Sequence, residues 1–114
     1  MDDKAVPGGE DIAAAPQFEW DAHNIGHIAR HDVKPEEAEQ VLLNDPIELG
    51  LQLDEGEEER WPYIGETNAG RILRVVIALR GDRPRVVTAF EPSKRNKQAY
   101  LAIMAGLYDR SEGT

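Results

Sequence analysis

Three histidines, His23, His27 and His31, recur at intervals of four within FEWDAHNIGHIARHDV, residues 18–33, and the 114-residue chain has no others. On a helix, residues four apart share a face, so the imidazoles form one stripe, and His-x-x-x-His is the spacing with which a helix offers two ligands to zinc. The outer pair is separated by roughly 12 Å along a helix axis, whereas zinc ligands lie about 2 Å from the ion. One straight helix therefore cannot wrap all three around a metal. A pair is the limit, and the chain contains no cysteine to complete a site. A hydrated polar face is the simpler reading, and no metal is assigned.

Other chemistry-bearing residues are scattered. The run LDEGEEERW contains Asp54, Glu55, Glu57, Glu58 and Glu59, but neighbouring carboxylates on a strand point to opposite faces, which suits a hydrated turn better than a cation site. No Gly-rich phosphate loop, Gly-x-Ser-x-Gly elbow or cysteine nucleophile occurs, so the general enzyme motifs are absent and no cofactor is expected. Cleavage of RNA without metal needs less: a base for the 2′-OH proton, an acid for the leaving oxygen, and cations for the developing charge. His31, Arg60, Arg71 and the cluster Lys94, Arg95, Lys97 are residues of these types. Each has a plainer use as well. A histidine at a helix end meets the dipole favourably, and a surface arginine beside glutamates pairs with them.

Charge distribution sharpens this reading. The chain carries a net −9, but residues 1–66 hold 4 basic and 18 acidic side chains while residues 71–97 hold 8 basic and 2 acidic. The overall sign opposes indiscriminate binding to nucleic acid. A basic surface on an acidic body instead suits RNA held at one place, or an acidic protein partner. The longest apolar run, LRVVIAL, is far short of the ~20 residues that span a bilayer. The start of the chain lacks the basic-then-apolar order of a signal peptide, so a cytoplasmic location is expected.

The elements that must position these residues are legible. Residues 1–16, rich in Gly, Pro, Ala and acids without apolar period, read as a disordered tail, and a single domain is expected over 17–110. FEW suggests a short strand, Asp21 caps a helix over 22–30 with Ile25, Ile28 and Ala29 on its apolar side, and His31 and Asp32 close it. Pro35, Glu36 and Glu37 open a second helix that buries Ala38, Val41 and Leu42 and stops at Asn44, Asp45 and Pro46. IELGLQL alternates as a strand, and GEEERWPYIGET contains another, in which Pro62 predicts an edge or an irregularity. RILRVVIALR and RPRVVTAF predict a hairpin turning at Gly81 and Asp82. Ser93 caps a last helix that carries Ala99, Leu101, Ile103, Met104, Leu107 and Tyr108. Helices and strands segregated in this order indicate an α+β domain: two N-terminal helices, a four-stranded antiparallel sheet with a short N-terminal strand, and a C-terminal helix.

In order and spacing, FEWDAHNIGHIARHDVKPEEAEQVLLNDP, GEEERWPYIGET, GRILRVVIALRG and RVVTAFEPSKRNKQAY resemble the BrnT family of ribonuclease toxins. The resemblance runs from Phe18 to about Tyr100. It implies a RelE-like fold, ribonuclease activity within a type II toxin–antitoxin module, and a ribbon-helix-helix antitoxin as partner, with a homodimer inside the partner complex. By position, the family's Lys-His-Gly falls on Arg30, His31 and Asp32, and its Gly-Glu-x-Arg-like segment on Gly56 to Arg60. Its Ser-x-Arg falls on Thr88, Ala89 and Phe90, so a hydroxyl is kept and an arginine is lost. Phenylalanine cannot neutralise a phosphate, which leaves Lys94 and Arg95, at a helix start that itself favours anions, to compensate.

Two functions follow. The first is a metal-independent endoribonuclease that suppresses translation, with His31, Arg60 and Thr88 catalytic and Arg71, Lys94, Arg95 and Lys97 binding substrate. The second is an inactive relative that grips a protein through its basic sheet and C-terminal helix. A metal-dependent hydrolase using His23 and His27 is a third reading, tested by a chelator.

Overall fold

The structure, a computed structural model, describes residues 17–113. The tail expected over 1–16 lies outside them. Three helices, α1 (Ala22–Ala29), α2 (Pro35–Leu43) and α3 (Lys94–Gly113), accompany five strands: β1 (Ile47–Glu48), β2 (Gln52–Leu53), β3 (Glu59–Glu66), β4 (Ile72–Arg80) and β5 (Arg83–Phe90). The sheet is antiparallel in the order β1-β3-β4-β5, with β2 also paired to β3. The expected α+β architecture is therefore present. The N-terminal strand is reduced to one parallel bridge, Glu19 to Arg85.

Local chemistry explains the boundaries. Asp21 accepts from the backbone N–H groups of His23 and Asn24, and Asn24 accepts in return from the Asp21 N–H, closing a capping box at α1. Asp32, at φ 61°, turns the chain out of α1 in the left-handed region that Asp tolerates better than most residues. Pro35 opens α2, where its missing N–H has no intrahelical partner to lose. Gly81, at φ 63°, supplies the positive φ that the two-residue β4–β5 turn requires. Ser93 caps α3 through the Asn96 N–H at 3.2 Å.

Pro62 is not at an edge. It lies on β3, inside the sheet, opposite Val76. Its carbonyl accepts from Leu49 at 2.9 Å, so its missing N–H faces the same side, where Gly50, at φ 96°, breaks the predicted IELGLQL strand into β1 and β2. Leu49 and Gly50 are exposed at this break, so the carbonyl opposite the missing N–H is open to water and an interior proline becomes tolerable.

One sheet face carries Leu73, Val75, Val86 and Ala89, which close over Ile28 and Val33 and over Ala38 and Val41 of α2. Burying this set is the main apolar contribution to stability. α1 runs along the outer edge of β5, where the Asn24 amide donates to Val86 O at 3.0 Å and covers an otherwise open strand edge. The buried side of α1 is Asn24 and Ile28; the predicted Ile25 and Ala29 are exposed. α3 begins over the opposite face, where Tyr100 is buried and donates to Glu66 at 3.1 Å. Of the apolar residues that α3 carries, Ala99, Leu101 and Ile103 are exposed, Met104 is half-buried, and the side chains of Leu107 and Tyr108 lie outside the described ones.

Candidate active site

The second sheet face carries the candidate chemistry. Register and alternation place Arg60, Pro62 and Ile64 of β3 beside Arg74, Val76 and Ala78 of β4, and these beside Arg85, Thr88 and Phe90 of β5. β5 contributes in this way because it is bulged: Thr88 pairs with Val76 and Val86 with Ile77, leaving Val87 over. The extra residue lets Arg85 and Thr88, three apart, share a face while Val86 and Ala89 share the core.

α1 brings its histidine stripe to this face along the β5 edge. His27 Nε2 and Thr88 Oγ1 share a hydrogen bond of 3.1 Å. The His27 and His31 rings meet edge to face at 5.6 Å, and His31 stands 5.8 Å from the Phe90 ring. One turn back, His23 and Asn24 join Arg60, Ala78, Arg85 and Val87 around a cavity of about 160 Å³. Two arginines and a histidine thus line this space.

The charges of that cavity are already partnered. Arg85 is buried, holds Asp21 through two nitrogens at 2.9 and 3.1 Å, and has Glu19 at 3.5 Å. Arg85, assisted by the backbone N–H groups of Asn24 and His23, lowers the Asp21 carboxyl to about 2. Arg60 is held by Asp54 at 2.7 Å and Glu58 at 3.2 Å. Both carboxylates belong to the tight turn before β3, where Asp54 also accepts from the Glu58 N–H. The acidic run is thus a structured counter-charge for Arg60, and among the described residues no three metal-ligating side chains converge.

The predicted residues fall into separate groups. His31 and Thr88 come together through His27 and Phe90, and Arg60 lines the neighbouring cavity. Arg71 bridges Glu37 of α2 and Glu91, both at 2.9 Å, and Lys97 takes the other Glu91 oxygen at 2.7 Å. Lys97 first and Arg71 second hold Glu91 below the usual carboxylate range. Burial opposes ionisation of Glu37, but the Lys34 N–H and Arg71 outweigh it and lower its pKa. This network ties α2 to α3 through the residues flanking β4 and β5 and shares no member with the cavity. Lys94 and Arg95 are exposed on the first turn of α3. Sequence reasoning weighed His23 and His27 only as metal ligands and did not single out Arg85; the stripe itself held the signal for His27, which recurs on the same face as His31.

A family model described as the ribonuclease toxin BrnT of type II toxin-antitoxin systems matches residues 20–96. The chain belongs to this family. The match spans α1 through the first turn of α3 and contains the histidine stripe, the cavity and Thr88. Membership in a type II toxin family implies an antitoxin partner. Comparison with curated proteins gives no match. Among the described residues no helix is long and apolar enough to cross a membrane.

Proposed function

We propose that this BrnT-family chain is a metal-independent endoribonuclease whose activity suppresses translation. The observation that carries this reading is the meeting of His27, His31 and Thr88 beside the Arg60 cavity on one sheet face. In the proposed reaction the 2′-oxygen attacks phosphorus, the 5′-oxygen leaves, and a 2′,3′-cyclic phosphate forms. The reaction needs one group to take a proton and another to return one. His31 is exposed on the site's rim and free to do either, with His27 as its nearest imidazole and Thr88 fixing the His27 ring. Arg60, released from Asp54 and Glu58 as substrate enters, stabilises the phosphorane charge. Lys94 and Arg95 steer the RNA strand. Arg71 and Lys97 could contribute only by giving up Glu37 and Glu91.

On this reading the working unit is the domain over 17–110 with a tail over 1–16, in the cytoplasm. Its partner is a ribbon-helix-helix antitoxin, within whose complex two copies assemble. A second reading, an inactive relative that serves as a binding module, is favoured by Phe90 and by the carboxylates that occupy Arg60. Induced expression in a bacterial host, following growth and RNA integrity with Arg60→Ala alongside, separates the two. Growth arrest with RNA fragmentation that Arg60→Ala reduces at least tenfold supports the ribonuclease. Intact RNA with soluble, folded protein supports the binding module. Activity unchanged by a chelator is the expected result for the metal-free reaction.

A further inference from the structure

Arg74 is unused by the proposed reaction, yet its surroundings are unlike those of Arg60, Arg71 and Arg85. Arg60, Arg71 and Arg85 each hold a carboxylate at 2.7 to 2.9 Å. Arg74 is half-buried and, among the described residues, has neither a carboxylate nor a hydrogen-bond acceptor on its guanidinium. None of its nitrogens is both buried and unpartnered, so its donors face solvent and are open to an anion.

Strand register shows where that something would bind. Arg74 is the direct Cα partner of Phe90 on β5 and of Ile64 on β3, on the face that carries Thr88. Directly opposed side chains on a sheet start about 5 Å apart, and diagonal ones, such as Arg74 and Thr88, about 7–8 Å, within reach of a long side chain. Phe90 in turn contacts His31. On its other side Arg74 lines a groove of about 190 Å³ with Ile64, Pro92, Asn96 and Tyr100. Mostly apolar walls beside the guanidinium strengthen its attraction for an anion.

We infer that Arg74 contacts the RNA phosphate at the Thr88–His31 site, supplying from β4 the cation that Phe90 does not supply from β5. The inference rests on the ribonuclease reading of that face and adds to it a residue that neither the sequence motifs nor the chain's ion pairs had marked. Lys94 and Arg95 are then not needed to replace the missing arginine.

The test uses the full chain with Arg74→Ala, Arg74→Lys, and the double variant Arg74→Phe with Phe90→Arg, which moves the guanidinium across the strand pair. Cleavage is measured on a single-stranded oligoribonucleotide, and binding on its uncleavable 2′-O-methyl analogue over a range of salt. Arg74→Ala should lower kcat/KM at least tenfold, and Arg74→Lys should fall between, keeping charge but losing the planar fork. The double variant should recover most of the loss. The log–log salt slope of binding should fall by about 0.7 in Arg74→Ala, the value of one single-strand phosphate contact; a merely structural arginine would leave that slope alone. Parent-level cleavage and an unchanged slope in Arg74→Ala would overturn the inference. If the parent chain binds the analogue but cleaves nothing, the ribonuclease reading fails while the slope still decides Arg74. If it neither binds nor cleaves, both fall.

Discussion

Replacing Asn24 by alanine tests how much of the fastening of α1 to the sheet rests on one buried amide. Asn24 is 1% exposed and makes three hydrogen bonds: Oδ1 accepts from the Asp21 N–H at 2.8 Å, and Nδ2 donates to the carbonyls of Glu19 and Val86, both at 3.0 Å. Each intramolecular bond is worth about 1 kcal/mol net, and a buried carbonyl left unsatisfied costs more. Asn24→Ala should therefore destabilise the domain by about 3 kcal/mol, a large share of the roughly 5–15 kcal/mol on which a domain stands. In urea unfolding followed by circular dichroism, with a slope near 1.5 kcal/mol/M, the midpoint should fall by about 2 M at constant slope. Asn24→Asp supplies the control. It keeps an acceptor for the Asp21 N–H but cannot donate to two carbonyls while ionised, and it buries a charge. At neutral pH it should be less stable than Asn24→Ala, and it should recover as acid neutralises it. A loss below about 1 kcal/mol for Asn24→Ala would refute the assignment of α1's anchor to this residue.

Acid should weaken the same junction. The Asp21 carboxyl is lowered from 3.8 to about 2 by Arg85, so its contribution is complete above the unfolded value and disappears as pH falls from about 4 to about 2. Asp21→Asn should flatten the stability–pH curve in that window without abolishing its slope, since Glu37 and Glu91 are lowered as well; curves that superimpose would refute this. Gly65→Ala would place a Cβ 3.0 Å from Pro46 Cβ, 3.2 Å from Pro46 Cα and 3.3 Å from Val41 Cγ1. Overpacking of this kind should cost about 2 kcal/mol and lower Tm by on the order of 10 °C in a thermal melt. Deleting Val87 should leave a folded domain, because the shortened β5 still alternates Arg85 and Thr88 outward and Val86 and Ala89 inward. Deleting Val75 from the regular strand β4 should unfold it, and equal loss of the folded circular dichroism signal in both would contradict the bulge.

Much of the fold is local, and the local part was readable. Asp21, Pro35, Gly81 with Asp82, and Ser93 each impose a cap or a turn through their own chemistry, and the structure uses all four as such. Errors arose where a distant element changes what a residue needs. Pro62 reads as a mark of an edge or of an irregularity, and only Gly50, which breaks the neighbouring strand beside it, decides for the second. Asn24 carries no mark of its burial in the sequence, because its partner is the edge of β5, some sixty residues later. The apolar residues of α3 suggest a buried helix, but past Tyr100 the sheet offers it little to cover.

The candidate site follows the same division, and the Val87 bulge shows why. Strict alternation along RPRVVTAF would put Arg85 and Thr88 on opposite faces, so no periodicity argument would have joined the Arg60–Arg85 cavity to the Thr88 hydroxyl. The bulge joins them. It also carries Thr88 to the same edge as His27, which turns a stripe of helix histidines into one wall of the candidate site. Residue types and spacing therefore limited the chemistry to acid, base and cation, but the choice among three histidines and eight basic residues depended on one unpaired residue in one strand. A second such dependence is Arg74: it becomes a candidate only because β4 and β5 are paired in the register that sets it opposite Phe90.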